Sequence, residues 1–203
     1  MSYLKKINKF VENLKSNPNI ELLQFETFTP ATEEQLKQAN KKLGTNLGDD
    51  VTDFFKETNG LKLIYVFKDN EYYNDLVKLE KEIKKDWFYL YKNDYPRFNG
   101  CILIPPVELM CSEKFDFSQY DIPEPFIVEE EEIEDAKDVK AFCKTLKIFN
   151  AHSRFSYFNM YTFNGQTKII LTGDYGADLF IGIEESDASS FEEFMNYQLN
   201  IKE

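Results

Sequence analysis

The sequence predicts one domain that mixes helices with strands, and three observations carry that reading. Apolar residues recur at helical spacing at the start of the chain, where Leu4, Ile7, Val11 and Leu14 form a stripe. Runs such as "LKLIYVF" (61–67) alternate as strands do. Asn164-Gly165, set between two apolar runs, is a strong two-residue hairpin signal. The 203 residues suit a single domain, 1–203, that can bury a core without disulfides or metals.

The elements follow in order. Residues 2–16 read as an amphipathic helix ending before "NPN", and 20–28 as a short strand. In "TPATEEQLKQANKKLG", Thr32 and Gln35 make a capping box, Leu36, Ala39 and Leu43 a buried stripe, and Gly44 a stop. "DDVTDFFKETNG" is a second short helix. Asp49 and Asp50 stand at its positive end, Val51, Phe54 and Phe55 face inward, and Asn59-Gly60 ends it. Tyr72, Leu76, Leu79 and Ile83 lie at helical spacing, and Trp87, Tyr89 and Tyr91 share one face of a strand. "GCILIPPVELM" is a strand stopped by Pro105 and Pro106, with a helical turn after it. Residues 113–135 read as an acidic loop. A helix is expected over "DAKDVKAFCKTLKIF", with Val139, Phe142, Cys143 and Leu146 on one face. Strands are expected at 155–163, 167–171 and 178–183, then a helix at 189–199 capped by Ser189 with Glu192.

Charge and composition exclude several functions. The net charge is −12, which opposes binding to nucleic acid or to an anionic membrane and favours a cationic partner. Arg97 and Arg154 are the arginines, so bidentate recognition of phosphate has little to work with. The start of the chain has no continuous apolar core, so no signal peptide is expected. No apolar run approaches a membrane span, and the expected home is the cytoplasm.

Catalytic motifs are weak. In "LTGDYGADLF" (171–180) no "GK[ST]" follows the glycines, and Asp174 and Asp178 would repel an anion. Gly173 and Gly176 read as a turn between strands. Cys101, Cys111 and Cys143 form no C-x-x-C pair and read as buried reduced thiols. His152 is the single histidine, and nothing in the sequence sets it beside a cysteine. Zinc would need more ligands at short spacing, so no metal or cofactor is expected.

Several blocks carry a resemblance. "ATEEQLKQANKKLGTNLGDDVTDFFKETNGL" places Thr32, Leu36, Leu43-Gly44, Phe54-Phe55 and Asn59-Gly60 in an order similar to the entry segment of the SUKH superfamily. That superfamily includes Smi-type cell-wall assembly regulators and many bacterial immunity proteins. "CILIPPVELM" is similar to its central strand and short helix. "FIGIEESDASSFEEFMNYQL" resembles its closing strand and terminal helix, at Ser190, Phe191, Glu192, Glu193, Phe194 and Met195. Gly48 stands where a proline is usual and Asn40 where an acid is common, and 68–98 and 112–150 are longer than typical, as insertions would be. The resemblance implies an α+β domain with a mostly antiparallel sheet and helices packed to one side. It implies no catalytic residue. It implies a protein that binds and neutralises a toxin, or, alternatively, a regulatory module that binds a cellular partner.

Two surfaces are candidates for that contact. Residues 116–138 hold ten acids and one base, Lys137, and so nine of the twelve net negative charges. Within them Glu129, Glu130, Glu131, Glu132, Glu134 and Asp135 read either as a solvated loop or as a decoy for the basic cleft of a nuclease-type toxin. The second is "DWFYLYKNDYPRF", where Trp87, Tyr89 and Tyr91 read either as core or as an interface rich in hot-spot residues.

Overall fold

The computed structural model describes residues 2–43, 46–83, 98–110, 148–152, 157–163, 166–172 and 190–199. The order is α1 (Tyr3–Ser16), β1 (Ile20–Thr27), α2 (Glu33–Leu43), α3 (Asp49–Glu57), β2 (Leu61–Phe67), α4 (Tyr73–Ile83), β3 (Gly100–Ile104), α5 (Val107–Met110), β4 (Ile148–His152), β5 (Tyr157–Phe163), β6 (Gln166–Thr172) and α6 (Phe191–Gln198). Among the described residues six strands pair in sequence order in one sheet, and each of these ladders is antiparallel. The fold is therefore mixed α+β.

Local chemistry explains the early elements. Ile7, Phe10, Val11 and Leu14 put one face of α1 into the core. The predicted capping box of α2 is present: Gln35 N donates to Thr32 Oγ1 (3.2 Å) and Thr32 N to Gln35 Oε1 (2.8 Å). Val51, Phe54 and Phe55 of α3 are fully buried. After α3 the chain turns through Gly60 at φ 122°, a left-handed angle that a side chain resists. A Cβ there would also lie 2.8 Å from the Ile104 carbonyl oxygen, so glycine brings the end of α3 against the end of β3. At the far end of that ladder Tyr65 pairs with Gly100, and a Cβ on Gly100 would fall inside the Tyr65 ring.

Over β2 and β3 the sheet is covered on both faces, which corrects the expectation of helices on one side only. Leu61, Leu63 and Tyr65 of β2, with Ile102 and Ile104 of β3, face a core filled by α1, α2, α3, α5 and α6. Ile64, Val66, Cys101 and Leu103 face the other way, against Phe98 and Leu76 of α4. The reason lies in β2 and β3 themselves. Both are apolar at successive positions, and a one-sided helix layer would leave half of those side chains in water.

Other departures are local. Tyr72 stands just before α4 and is exposed, and Tyr73 takes its place against the second core and donates to Glu21. Ile148 and Phe149, expected at the end of a helix, pair in β4 with Tyr161 and Met160 of β5. Strand pairing overrides the helical pattern there. The hairpin signal holds, since Phe163 pairs with Gln166 on either side of Asn164-Gly165. The cap of α6 is Ser190 with Glu193, one residue later than expected, because the helix begins at Phe191. The expected strands at 86–91 and 178–183, the acidic loop at 113–135 and the stripe from Val139 to Leu146 lie outside the described residues.

Candidate functional site

Glu129, Glu130, Glu131, Glu132, Glu134, Asp135, Trp87, Tyr89 and Tyr91 lie outside the described residues, as do Gly173, Gly176, Cys111 and Cys143. What the structure fixes is where the chain leaves for these segments and returns. The aromatic segment leaves at the end of α4 and returns at Phe98, just before β3. The acidic segment leaves after α5, just past the other end of β3, and returns at β4. Between the two lies the buried strand β3, about 14 Å long.

The described residues bear directly on the catalytic readings. Cys101 sits in the second core at 1% exposure, and burial pushes its thiol well above the ordinary range. The sheet brings His152 onto β4, where its backbone pairs with Leu103, two residues from Cys101. Sequence reasoning missed this proximity because it depends on a strand that the helical pattern of 135–149 conceals. A nucleophilic cysteine needs a stabilised thiolate, and burial at Cys101 favours the neutral thiol instead. Among the described residues no group of three or more His, Cys, Asp or Glu side chains is placed to hold a metal ion. Nor is any of their helices long and apolar enough to cross a membrane.

Polar side chains cluster at two places. Thr58 and Asn59, both buried, join the end of α3 to the rest of the fold. Thr58 Oγ1 donates to Gly60 O (2.8 Å) and accepts from Phe28 N (3.0 Å). Asn59 Oδ1 accepts from Val107 N (2.9 Å), and its amide donates to Glu108 Oε2 (2.9 Å). Gln35 of α2 donates to the other oxygen of Glu108 at 3.3 Å. These residues satisfy buried backbone groups where a helix becomes a strand, so their work is structural.

The second cluster lies between the first and last helices. The Glu57 carboxylate accepts from Tyr3 N (3.0 Å), from Leu4 N (2.9 Å) and from the Ser2 hydroxyl. Burial would raise its pKa, but these hydrogen bonds outweigh burial and hold it below the ordinary glutamate value. Asp50 Oδ2 accepts from Phe191 N at 2.9 Å. Lys6 Nζ lies 3.0 Å from Glu192 and donates to Asn196 at 2.9 Å. The Tyr3 hydroxyl is pushed above its usual value, first by burial and then by Asp50, Glu192, Asp53 and Glu57. Sequence reasoning missed Glu57, although an acid in the last turn of a helix opposes the helix dipole. That local conflict was the available signal. Compared with protein-family models, with curated proteins and with solved structures, the chain matches none.

Proposed function

We propose that the protein is a SUKH-like immunity protein that neutralises a basic, nuclease-type toxin by stoichiometric binding in the cytoplasm. The observation that carries the reading is the concentration of nine of twelve net negative charges in residues 116–138 of a chain with two arginines. A concentrated negative field raises the rate of encounter with a basic cleft and disfavours acidic competitors. The arrangement of the resembling blocks supports the reading. Leu36, Phe54, Phe55 and Leu61 of the first block, Val107 of the second and Phe191 and Phe194 of the third all meet in the first core.

The test uses the product of the adjacent gene as the partner. Changing Glu129, Glu130, Glu131, Glu132, Glu134 and Asp135 to their amides removes six charges while keeping shape. Stopped-flow association should slow about ten-fold or more at low salt. The gap should narrow at physiological ionic strength, where screening acts over about 8 Å. Equal association rates at every salt concentration would assign the acidic run to solvation and move the contact to the segment around Trp87. Capture of a cellular partner in place of a toxin would replace the immunity role by a regulatory one.

A further inference from the structure

Asp50, Phe54 and Glu57 follow the i, i+4, i+7 spacing that puts three side chains in one row along a helix. The two carboxylates are two turns apart, about 10 Å along the axis. Each reaches a different end of the chain. Glu57 takes the first free amides of α1, which its own cap serves only through the 3.4 Å bond from Lys5 N to Ser2 Oγ. Asp50 takes the Phe191 amide, which the Ser190–Glu193 box leaves over because that box serves the amides of Ser190 and Glu193. Between the carboxylates the rings meet in a triangle, one from each helix. Phe54 lies 5.7 Å from Tyr3 and 5.1 Å from Phe191, and Tyr3 lies 5.6 Å from Phe191. Lys6 closes the outer side by joining α1 to Glu192 and Asn196 of α6.

We infer that α3 is a clasp shared by the two end helices, so that release of either end loosens the other. The coupling is physical rather than sequential. Each end helix offers α3 an amide-rich terminus and a ring, and the ring of one end packs on the ring of the other. Losing the Glu57 contacts lets the first turn of α1 fray. Tyr3 then leaves Phe191, and α6 keeps only part of its buried face. A ligand or contact at one terminus would thereby be felt at the other, with both helices moving as one local unit of opening.

Native-state hydrogen exchange on the full chain tests this with two variants, each of which touches one end. In Glu57→Ala, which contacts α1, the Phe194 and Leu199 amides of α6 should exchange about ten-fold faster relative to the β2–β3 amides. In Asp50→Ala, which contacts α6, the Lys6 amide of α1 should accelerate by a similar factor. Glu57→Gln keeps one acceptor oxygen and should restore most of the protection. If Glu57→Ala does not fold, Glu57→Gln carries the same comparison, with an expected change of about three-fold. Acceleration confined to the helix that lost its contact would overturn the clasp, and so would equal acceleration of the β2–β3 amides.

Discussion

The two faces of the sheet are built from the same strands yet differ in how they are closed. The first is sealed by helices from both ends of the chain, and aromatic rings fill it: Tyr3, Phe10, Phe54, Phe55, Tyr65 and Phe191. Among the described residues the second is a short aliphatic row under α4, with Phe98 as its buried ring. One face thus joins distant parts of the sequence, and the other joins α4 to strands that flank it. Cooperativity should therefore be concentrated on the first face, while the second can loosen with the rest in place.

Substitutions on each face test that contrast. The largest effect is expected at Phe54, which touches three other rings. Phe54→Ala should cost about 3–5 kcal/mol in denaturant unfolding, with loss of α1 and α6 in one transition. A cost below about 1 kcal/mol would mean that the rings do not form one unit. Leu76→Ala on the second face should cost less, about 2–3 kcal/mol. Exchange should rise first in α4, with α1 and α6 protected. If the end helices open together with α4, the two faces are a single unit and the contrast fails.

The smallest effect concerns Glu57. Its folded pKa is depressed, so its contribution is complete above the ordinary glutamate value of about 4.3 and is lost as pH falls through the lower folded value. Glu57→Gln should be less stable than the wild type by about 1 kcal/mol at neutral pH. The two stability curves should converge below about pH 4, as the wild-type carboxylate takes up its proton. Parallel curves across that range would remove the carboxylate from the account of how α1 is held.

Much of the first face was legible because its signals are local. The stripe of α1, the Thr32–Gln35 box, the inward Phe54 and Phe55 and the Asn59-Gly60 stop each depend on residues a few positions apart. The second face was not legible in the same way. Its signal is the run of apolar residues at successive positions in β2 and β3, which the reading of 61–67 as an alternating strand passes over. β4 stayed hidden for a related reason. Val139, Phe142, Cys143 and Leu146 repeat at helical spacing up to its edge, and the pairing with β5 that claims Ile148 is non-local. The shared role of Asp50 and Glu57 needs both ends of the chain in place, which spacing cannot show. The acidic and aromatic candidates rest on charge and composition, outside the residues that the structure describes.

The Tyr65–Gly100 pair has a consequence for how the sequence can vary. The ring occupies the space that any side chain at position 100 would need, so the two positions divide one fixed volume across the ladder. A larger residue at 100 is compatible only with a smaller one at 65, and a smaller residue at 65 leaves a void that glycine cannot fill. Positions 35 apart in the chain are therefore a single unit of substitution, to be exchanged together or left alone.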